Sequence, residues 1–512
     1  MTEPVPGMHL ADAYQALSIN PDFSVETAPG AVRVDATAFV GLVEACRAWL
    51  LEHGVRPGDA VMFQGDQGLP ALVLFWACAM EAMVFVPVDA GWPEYLLRKA
   101  IARTTPSLVV VEDQCLPAWQ AMTDMRAPVA VSVLSMLQPP TVAAVAAPAT
   151  APAHAGVQPG TPAVFLFTSG SAGEPKAVVL SHAALIRSGK LVVATFGWQP
   201  GERLLNLADP HTMSGLRNAF VSAPMAGMTW VCAPRKLRDS AFALLECVGS
   251  AQSQRMVAAP ILLRHVNLLG ARIADDTFAS VKALYCTGAD LNVDEVRRFH
   301  ARFGIPVINY YGLTETVGLC LSQDLDGWSP EDASLGWPVG CEVRLIGEDG
   351  AEATPGEAGE LQVLLPHPMS GYLDDPAATE AAFEGPWLRT GDLVHRDADG
   401  RIRIVGRSGS FIKTLGTEKV QPQEIEAVLQ QCPGVAEAAV LGWTDPAGGE
   451  RIAALIVAMA DADVDALSDG ALAAFVRERL GSARVPAIFR RIARIPRSAN
   501  GKILRMQLGD LV

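Results

Sequence analysis

Between Thr37 and Val88 the chain alternates between helix-spaced and strand-like apolar segments, and this pattern restricts its fold more than any other feature. Phe39, Leu42, Val43, Cys46 and Leu50 recur at helical spacing, Gly54 closes the pattern, and Gly58–Asp59 turns into the short apolar run Ala60 to Gln64. Leu69 to Met83 predicts a second helix and Val84 to Val88 a second strand. Strands that alternate with helices predict an α/β fold of parallel layers. The window from Leu69 to Val88 is the most apolar of the chain, yet it contains Glu81 and Pro87. It therefore reads as a buried helix followed by a strand, with no membrane span.

A chain of 512 residues exceeds one ordinary domain and is long enough to bury large cores. Its net charge of −15 argues against binding nucleic acid or an anionic membrane through bulk electrostatics. The nine cysteines are scattered with no CxxC pair, so free thiols in a reducing compartment are expected rather than a zinc site or disulfides. Met1 to Pro6 has no basic residue and no long apolar run follows, which predicts a cytoplasmic protein without a signal peptide.

The pattern extends along the chain. The stretch Pro139 to Pro159, rich in Ala, Pro and Val, reads as a connector. Strands are predicted at Leu204–Leu207, Thr229–Ala233, Val281–Cys286 and Pro306–Ile308. Beyond Gly340 the chain becomes strand-rich, at Glu342–Ile346, Glu360–Leu365 and Arg401–Val405, which predicts a small β-subdomain. After Arg407 a fresh unit begins, with helices at Gln423–Leu429 and Asp469–Leu480 and strands near Ala438–Gly442 and Ile452–Val457. The expected division is a large multi-subdomain N-terminal domain, residues 1–406, and a small mobile α+β lid domain, residues 407–512.

Chemistry enters at Phe167–Thr168–Ser169–Gly170–Ser171–Ala172–Gly173–Glu174–Pro175–Lys176, after the apolar run Ala163 to Phe167. Glycines let the backbone approach a ligand closely, and consecutive N–H groups in such a turn form an anion-binding nest. Thr168, Ser169 and Ser171 add hydroxyl donors and Lys176 a positive charge, which together suit a polyphosphate. No Gly–Lys–Ser/Thr follows at the spacing of a Walker A loop. Taken alone, the stretch would also suit a flexible surface loop.

Further motifs settle the reading. Asn309–Tyr310–Tyr311–Gly312–Leu313–Thr314–Glu315 follows the apolar run Ile305 to Ile308, and Leu388–Arg389–Thr390–Gly391–Asp392 precedes a turn at Asp397–Gly400. Gly406–Arg407 follows an alternating stretch, and Pro496–Arg497–Ser498–Ala499–Asn500–Gly501–Lys502 nearly closes the chain. In this order the motifs resemble the AMP-forming adenylating superfamily: acyl-CoA synthetases, adenylation domains of nonribosomal peptide synthetases and firefly luciferase. The resemblance runs from about Thr37 to Met506. With no carrier-protein segment following Lys502, a stand-alone enzyme is expected.

The resemblance implies a ligase that joins a carboxylic acid to ATP, forming an acyl-adenylate and pyrophosphate, and then transfers the acyl group to a thiol. It assigns Thr168, Ser169, Gly170, Ser171, Gly173 and Lys176 to the β- and γ-phosphates; Ala172 departs from the usual threonine. Thr314 would contact phosphate and Glu315 would bind Mg²⁺, a hard cation that takes oxygen ligands. Tyr311 and Gly288 would lie against adenine, and Asp392 and Arg407 would hold the ribose. Lys502 would reach between the α-phosphate and the carboxylate. On residue chemistry alone, Tyr310 and Tyr311 would suit strand-end packing, Thr390–Gly391–Asp392 a turn and Lys502 a solvated lysine.

The same resemblance places Gly409 at a hinge and Lys413 near an entering thiol, either CoA or a carrier protein's phosphopantetheine. The acid pocket would include Ala258, Ala259, Thr287, Tyr310, Gly318 and Leu319, with His211 as its gate, one position early for the family pattern. A hydrogen-bonded loop histidine is the alternative there. Ser214 stands where α-amino-acid activators carry an aspartate, so an acid without an α-amino group is favoured. Asp209 keeps an amino-acid-activating or amide-forming relative open. A catalytically silent nucleotide-binding homologue is the alternative of another class, and retention of Lys502, Glu315 and Asp392 argues against it.

Overall fold

The structure, a computed structural model, describes residues 9–18, 20–66, 68–122, 130–132, 157–169, 175–238, 240–289, 291–347, 349–407, 412–413, 419–420, 422–444, 450–459, 462, 467–481, 484–497, 503–504 and 507–512. Most of the proposed connector, residues 139–156, lies outside them. The chain divides into two compact units. The first comprises Met1–Ala333, Pro338–Glu342 and Leu364–Leu388, and the second Ser334–Trp337, Val343–Val363 and Arg389–Val512.

In the first unit the predicted alternation becomes two sheets. One runs in the order Gly371–Tyr372, Pro175–Ser181, Pro162–Ser169, Val84–Val88, Ala60–Gln64, Leu108–Val111 and Ala130–Ser132. The pairings between its first three strands are antiparallel and the rest are parallel. Ala60–Gln64, Val84–Val88 and Leu108–Val111 are buried throughout, which is why they read as unbroken apolar runs.

The helix Ala36–Glu52 starts where the Asp35 side chain accepts the Ala38 N–H at 2.8 Å. The helix Leu69–Met80 is buried on all sides except at Pro70, and so carries no polar stripe. Its Phe75 ring packs against Trp76, Phe85 and Phe220 at centroid distances of 5.5, 5.8 and 5.7 Å. The helix stops three residues short of the sequence expectation because Ala82 turns at φ 54° into the strand Val84–Val88. Among the described residues no helix is long and apolar enough to cross a membrane.

The other sheet places Gly318–Ser322, Val307–Leu313, Ala283–Cys286, Arg255–Ala258, Arg203–Asn206, Thr229–Val231, Ser24–Glu26 and Arg33–Asp35 side by side. The pairings at both ends of this row are antiparallel and all those between are parallel. Parallel strands align their carboxyl ends, where open α/β sheets bind ligands.

The second unit holds most of the strands Glu342–Ile346, Ala358–Leu364, Trp387–Arg396 and Ile402–Arg407, which are neighbours in that order, as the predicted β-subdomain required. It continues into strands Val435–Thr444, Glu450–Ala458 and Ile488–Arg491 with helices Pro422–Gln430 and Asp469–Leu480. Ile425, Leu429, Val440, Ile456, Leu472 and Val476 form the core of this smaller α+β body.

Candidate active site

The glycine-rich stretch joins two antiparallel strands, Pro162–Ser169 and Pro175–Ser181, with Thr168 opposite Lys176 and Ser169 opposite Pro175. Gly170, Ser171, Ala172 and Gly173 lie outside the described residues, as does the Ser169 side chain. On the far side of Pro175–Ser181 the short strand Gly371–Tyr372 pairs antiparallel, with Gly371 opposite Val179 and Tyr372 opposite Val178. This register sets the Tyr372 ring beneath Lys176, whose Nζ stands 4.6 Å from the ring centre.

Thr314 and Glu315 occupy the turn between Val307–Leu313 and Gly318–Ser322. The Val317 N–H donates to the Thr314 carbonyl at 3.0 Å, and the Thr316 hydroxyl donates to the Gly318 carbonyl at 2.7 Å. Val317, β-branched, sits at φ 57°, a conformation that costs on the order of 1–3 kcal/mol. A Cβ on Gly312 would lie 1.6 Å from the Gly318 carbonyl oxygen, so only glycine lets the two strands approach here. The result is a tight, over-determined turn that presents Thr314 and Glu315 side by side.

Glu315 is gripped twice by the segment ending in Tyr372. The Met369 N–H donates to the Glu315 carbonyl at 3.0 Å, and the Tyr372 hydroxyl donates to Glu315 Oε1 at 2.9 Å. Burial, reinforced by the Glu315 carboxylate, pushes the Tyr372 phenol well above its usual range, so it remains a donor. Lys176, Tyr372 and Glu315 thus form a continuous line of contacts. Tyr372 was not visible to sequence reasoning. The only signal was a tyrosine in a polar stretch of a chain that has six tyrosines in all.

The family resemblance implies Mg²⁺. Among the described residues no group of three or more His, Cys, Asp or Glu could enclose a metal ion. A single half-buried carboxylate, Glu315, held through one oxygen by Tyr372, suits a cation that takes its other ligands from nucleotide phosphates and water. The donor set therefore fits Mg²⁺ bound together with ATP.

The residues expected to line the acid pocket cluster near the carboxyl ends of three adjacent parallel strands. Arg255–Ala258, Ala283–Cys286 and Val307–Leu313 pair in register, with Ala258 beside Cys286 and Cys286 beside Asn309. Ala259, Thr287 and Gly288 lie just beyond the ends of their strands, and Tyr310 and Tyr311 follow Asn309, where the parallel pairing of Val307–Leu313 stops. Gly288 adopts φ +90°, which a side chain would strain. Tyr310 is buried, and its hydroxyl lies 2.9 Å from Ser214 Oγ and accepts from Asn218 Nδ2 at 3.3 Å. Leu319 is buried next to Gly318.

Residues 216–222 form a π-helix, Leu216–Ser222, a rare geometry that recurs at functional sites. It carries Asn218 and Arg217, neither of which the sequence pattern singled out. Arg217 is fully buried, with Nε donating to Asn218 Oδ1 at 3.0 Å and one terminal nitrogen donating to the Tyr310 hydroxyl at 3.5 Å. A Cβ on Gly318 would lie 2.1 Å from the other terminal nitrogen, so Gly318 makes room for the guanidinium.

The structure gives His211 and Asp209 defined partners. His211 Nε2 is 3.6 Å from Asp89 Oδ2. Burial pushes the Asp89 carboxyl up, but His211, the Gly91 N–H and Arg235 outweigh it and hold Asp89 below the usual carboxylate range. Asp209 is buried and takes a 2.6 Å contact from Arg238, with Arg235 at 3.9 Å. Its charge is matched within the protein.

In the second unit Asp392 is buried on Trp387–Arg396, directly opposite Arg407 of Ile402–Arg407. Gly391 at φ +71° precedes it, and the Asp392 N–H donates to Thr390 Oγ1 at 3.1 Å. The side chains of Arg407 and Lys413, together with Gly409 and Lys502, lie outside the described residues. Flanking Lys502 in sequence, Arg497 bridges to Ile503 and pairs with Glu437 at 2.7 Å.

Comparison with known proteins identifies the family of the chain. Residues 39–373 match the family model of AMP-binding enzymes, and residues 424–502 match that of the AMP-binding enzyme C-terminal domain. The chain belongs to the AMP-binding enzyme family, the AMP-forming adenylating superfamily. It is 34% identical to the sulfoacetate–CoA ligase of Cupriavidus necator over 432 residues, 81% of this chain and 76% of that protein. It is 28% identical to the indoleacetate–CoA ligase of Aromatoleum aromaticum over 490 residues, 92% of each. The crystal structure of ATP-bound MatB from Rhodopseudomonas palustris shares the fold, with a TM-score of 0.87 at 23% identity over 97% of this chain and 98% of MatB.

Proposed function

We propose that this AMP-forming acid–thiol ligase activates a carboxylic acid lacking an α-amino group and passes the acyl group to the thiol of CoA. The observation that carries the reading is the line Lys176–Tyr372–Glu315, which joins the strand leaving the phosphate loop to the carboxylate proposed to meet Mg²⁺. The sulfoacetate and indoleacetate ligases, named for acids without an α-amino group, support the substrate class and the acceptor.

In the first half-reaction a substrate carboxylate oxygen attacks the α-phosphorus of ATP. The bond to the bridging oxygen breaks, and pyrophosphate leaves with its electron pair. Two anions must approach, so oriented N–H donors and cations carry most of the catalysis. Thr168, Ser169, Gly170, Ser171, Gly173 and Lys176 hold the β- and γ-phosphates in this reading, with Thr314 beside them. Glu315 holds Mg²⁺, which when bound neutralises phosphate charge. Tyr311 and Gly288 take adenine, and Asp392 and Arg407 the ribose. Lys502 places its ammonium on the charge developing between carboxylate and α-phosphate, a contribution on the order of 3 kcal/mol.

In the second half-reaction a thiolate attacks the acyl carbon and AMP leaves. Residues 407–512 act as a lid with Gly409 at its hinge and Lys413 on the acceptor side, while His211 gates the acid pocket. Amino-acid activation fits less well, because Asp209 is matched by Arg238 and Ser214 contacts Tyr310 instead of offering a carboxylate. All nine cysteines are free thiols, which suits the reducing cytoplasm we propose for this enzyme.

Pyrophosphate release with ATP and Mg²⁺ across aryl, fatty, sulfonated and amino acids, with and without CoA, tests the reading. Turnover by one acid class that CoA accelerates is the expected result. Pyrophosphate that stalls near one equivalent despite CoA would move the acceptor to a carrier protein or an amine, and silence across the panel would favour a binding homologue.

A further inference from the structure

Arg217 poses a chemical question that ATP-dependent ligation leaves unanswered. Its guanidinium is fully buried, and burial of a permanent cation is costly unless an anion or a full set of acceptors compensates. Its polar contacts are the Asn218 amide oxygen at 3.0 Å and the Tyr310 hydroxyl at 3.5 Å, both neutral. The Tyr310 ring centre is 5.6 Å away. Among the described residues one terminal nitrogen has no hydrogen-bond partner. Among the described residues no carboxylate lies within ion-pair distance of Arg217, although Arg235, Arg238 and Arg255 each have one.

The place of this cation in the fold is equally specific. The guanidinium touches Tyr310, lies against the Cα of Gly318, and shares Asn218 with Ser214, whose Oγ accepts from Asn218 Nδ2 at 3.2 Å. The family resemblance puts Ser214, Tyr310 and Gly318 in the acid pocket. Gly318 is constrained twice, by φ +90° and by the 2.1 Å that would separate a Cβ from Arg217. The backbone thus gives up a side chain to admit the guanidinium, and the π-helix Leu216–Ser222 supplies it.

We infer that Arg217 recognises a second anionic group on the substrate, so that the acid is a carboxylate bearing a further carboxylate or sulfonate. This rests on the ligase reading and names its substrate class. A planar guanidinium binds such groups through paired N–H donors, and the unpartnered nitrogen supplies one of them. The reacting carboxylate is the poorer candidate, because a tight guanidinium clamp would withdraw the oxygen that has to attack phosphorus. Before substrate arrives the buried charge is a source of instability, a common condition of binding sites.

Size-matched pairs test the inference: succinate against 4-methylpentanoate, 3-sulfopropionate against 4,4-dimethylpentanoate, and terephthalate against 4-isopropylbenzoate. Each is followed by pyrophosphate release and, separately, by calorimetric binding, in the wild type and in Arg217→Met and Arg217→Lys. In at least one pair the wild type should prefer the doubly charged acid by about 100-fold or more. Arg217→Met should collapse that ratio to below about tenfold, with Arg217→Lys between. Arg217→Met without ligand should melt above the wild type and lose the upward shift that the preferred diacid gives the wild type. Turnover of the singly charged acids with no preference for any diacid would overturn the inference and leave the ligase reading intact. Silence in pyrophosphate release would overturn the ligase reading alone. Binding then decides: diacid affinity lost in Arg217→Met upholds the role of Arg217, and equal affinities within every pair refute it.

Discussion

The Tyr372 hydroxyl donates a 2.9 Å hydrogen bond to Glu315 Oε1, fixing the carboxylate proposed to meet Mg²⁺. The two residues are 57 positions apart, and they meet because the strand Gly371–Tyr372 adds to the edge of the phosphate-loop hairpin. Tyr372→Phe removes this bond and little else. A hydrogen bond to a charged group contributes about 1.5–3 kcal/mol, so adenylation should slow by roughly 10- to 100-fold. The Mg²⁺ concentration giving half-maximal rate should rise as well. A lowered melting temperature with unchanged Mg²⁺ dependence would make Tyr372 merely structural.

Asp392 is predicted to accept both ribose hydroxyls. Wild-type enzyme should therefore use 2′-deoxyATP less well than ATP, and Asp392→Asn should raise the KM for ATP by about tenfold or more while narrowing the difference between the two nucleotides. Steady-state kinetics with both nucleotides decides it. An undiminished preference for ATP in the variant would remove Asp392 from ribose recognition.

Lys502→Ala should abolish adenylate formation, by about 100-fold or more, while transfer from pre-made acyl-adenylate to the thiol stays largely intact. Rapid-quench assays of the separate half-reactions measure this. Equal loss of both, or of neither, would reject the assignment.

Cys341 is half-buried, and burial pushes its thiol up to about 11. The sign follows directly: the thiolate is scarce at pH 8 and grows about tenfold per pH unit until the pH nears that value. Iodoacetamide labelling of Cys341 in the native protein, read by peptide mass spectrometry, should rise in this way between pH 8 and pH 10. A rate that levels off by pH 9 would contradict it.

The parts of the candidate site that stand out in sequence are those whose residues are contiguous. The Thr168–Lys176 stretch and Thr314–Glu315 are each recognisable within a few residues, because the chemistry proposed for each falls within one short segment. The parallel layers were equally plain, since strands buried on both faces leave unbroken apolar runs such as Val84–Val88. Tyr372 was hidden because its role depends on sheet-edge register, which local pattern does not encode. Arg217 was hidden for a different reason: a single arginine within Leu216 to Ala226 reads as the exposed face of a helix, and only burial shows otherwise. Asp209 looked available to a substrate ammonium until the fold brought Arg238 to it from 29 residues away.

If an acyl-adenylate forms before any thiol is involved, the enzyme should exchange labelled pyrophosphate into ATP in an acid-dependent manner without CoA. Exchange is expected with an accepted acid and Mg²⁺, none without the acid, and its loss in Lys502→Ala. Acid turnover in the presence of CoA, with no exchange until CoA is added, would contradict it.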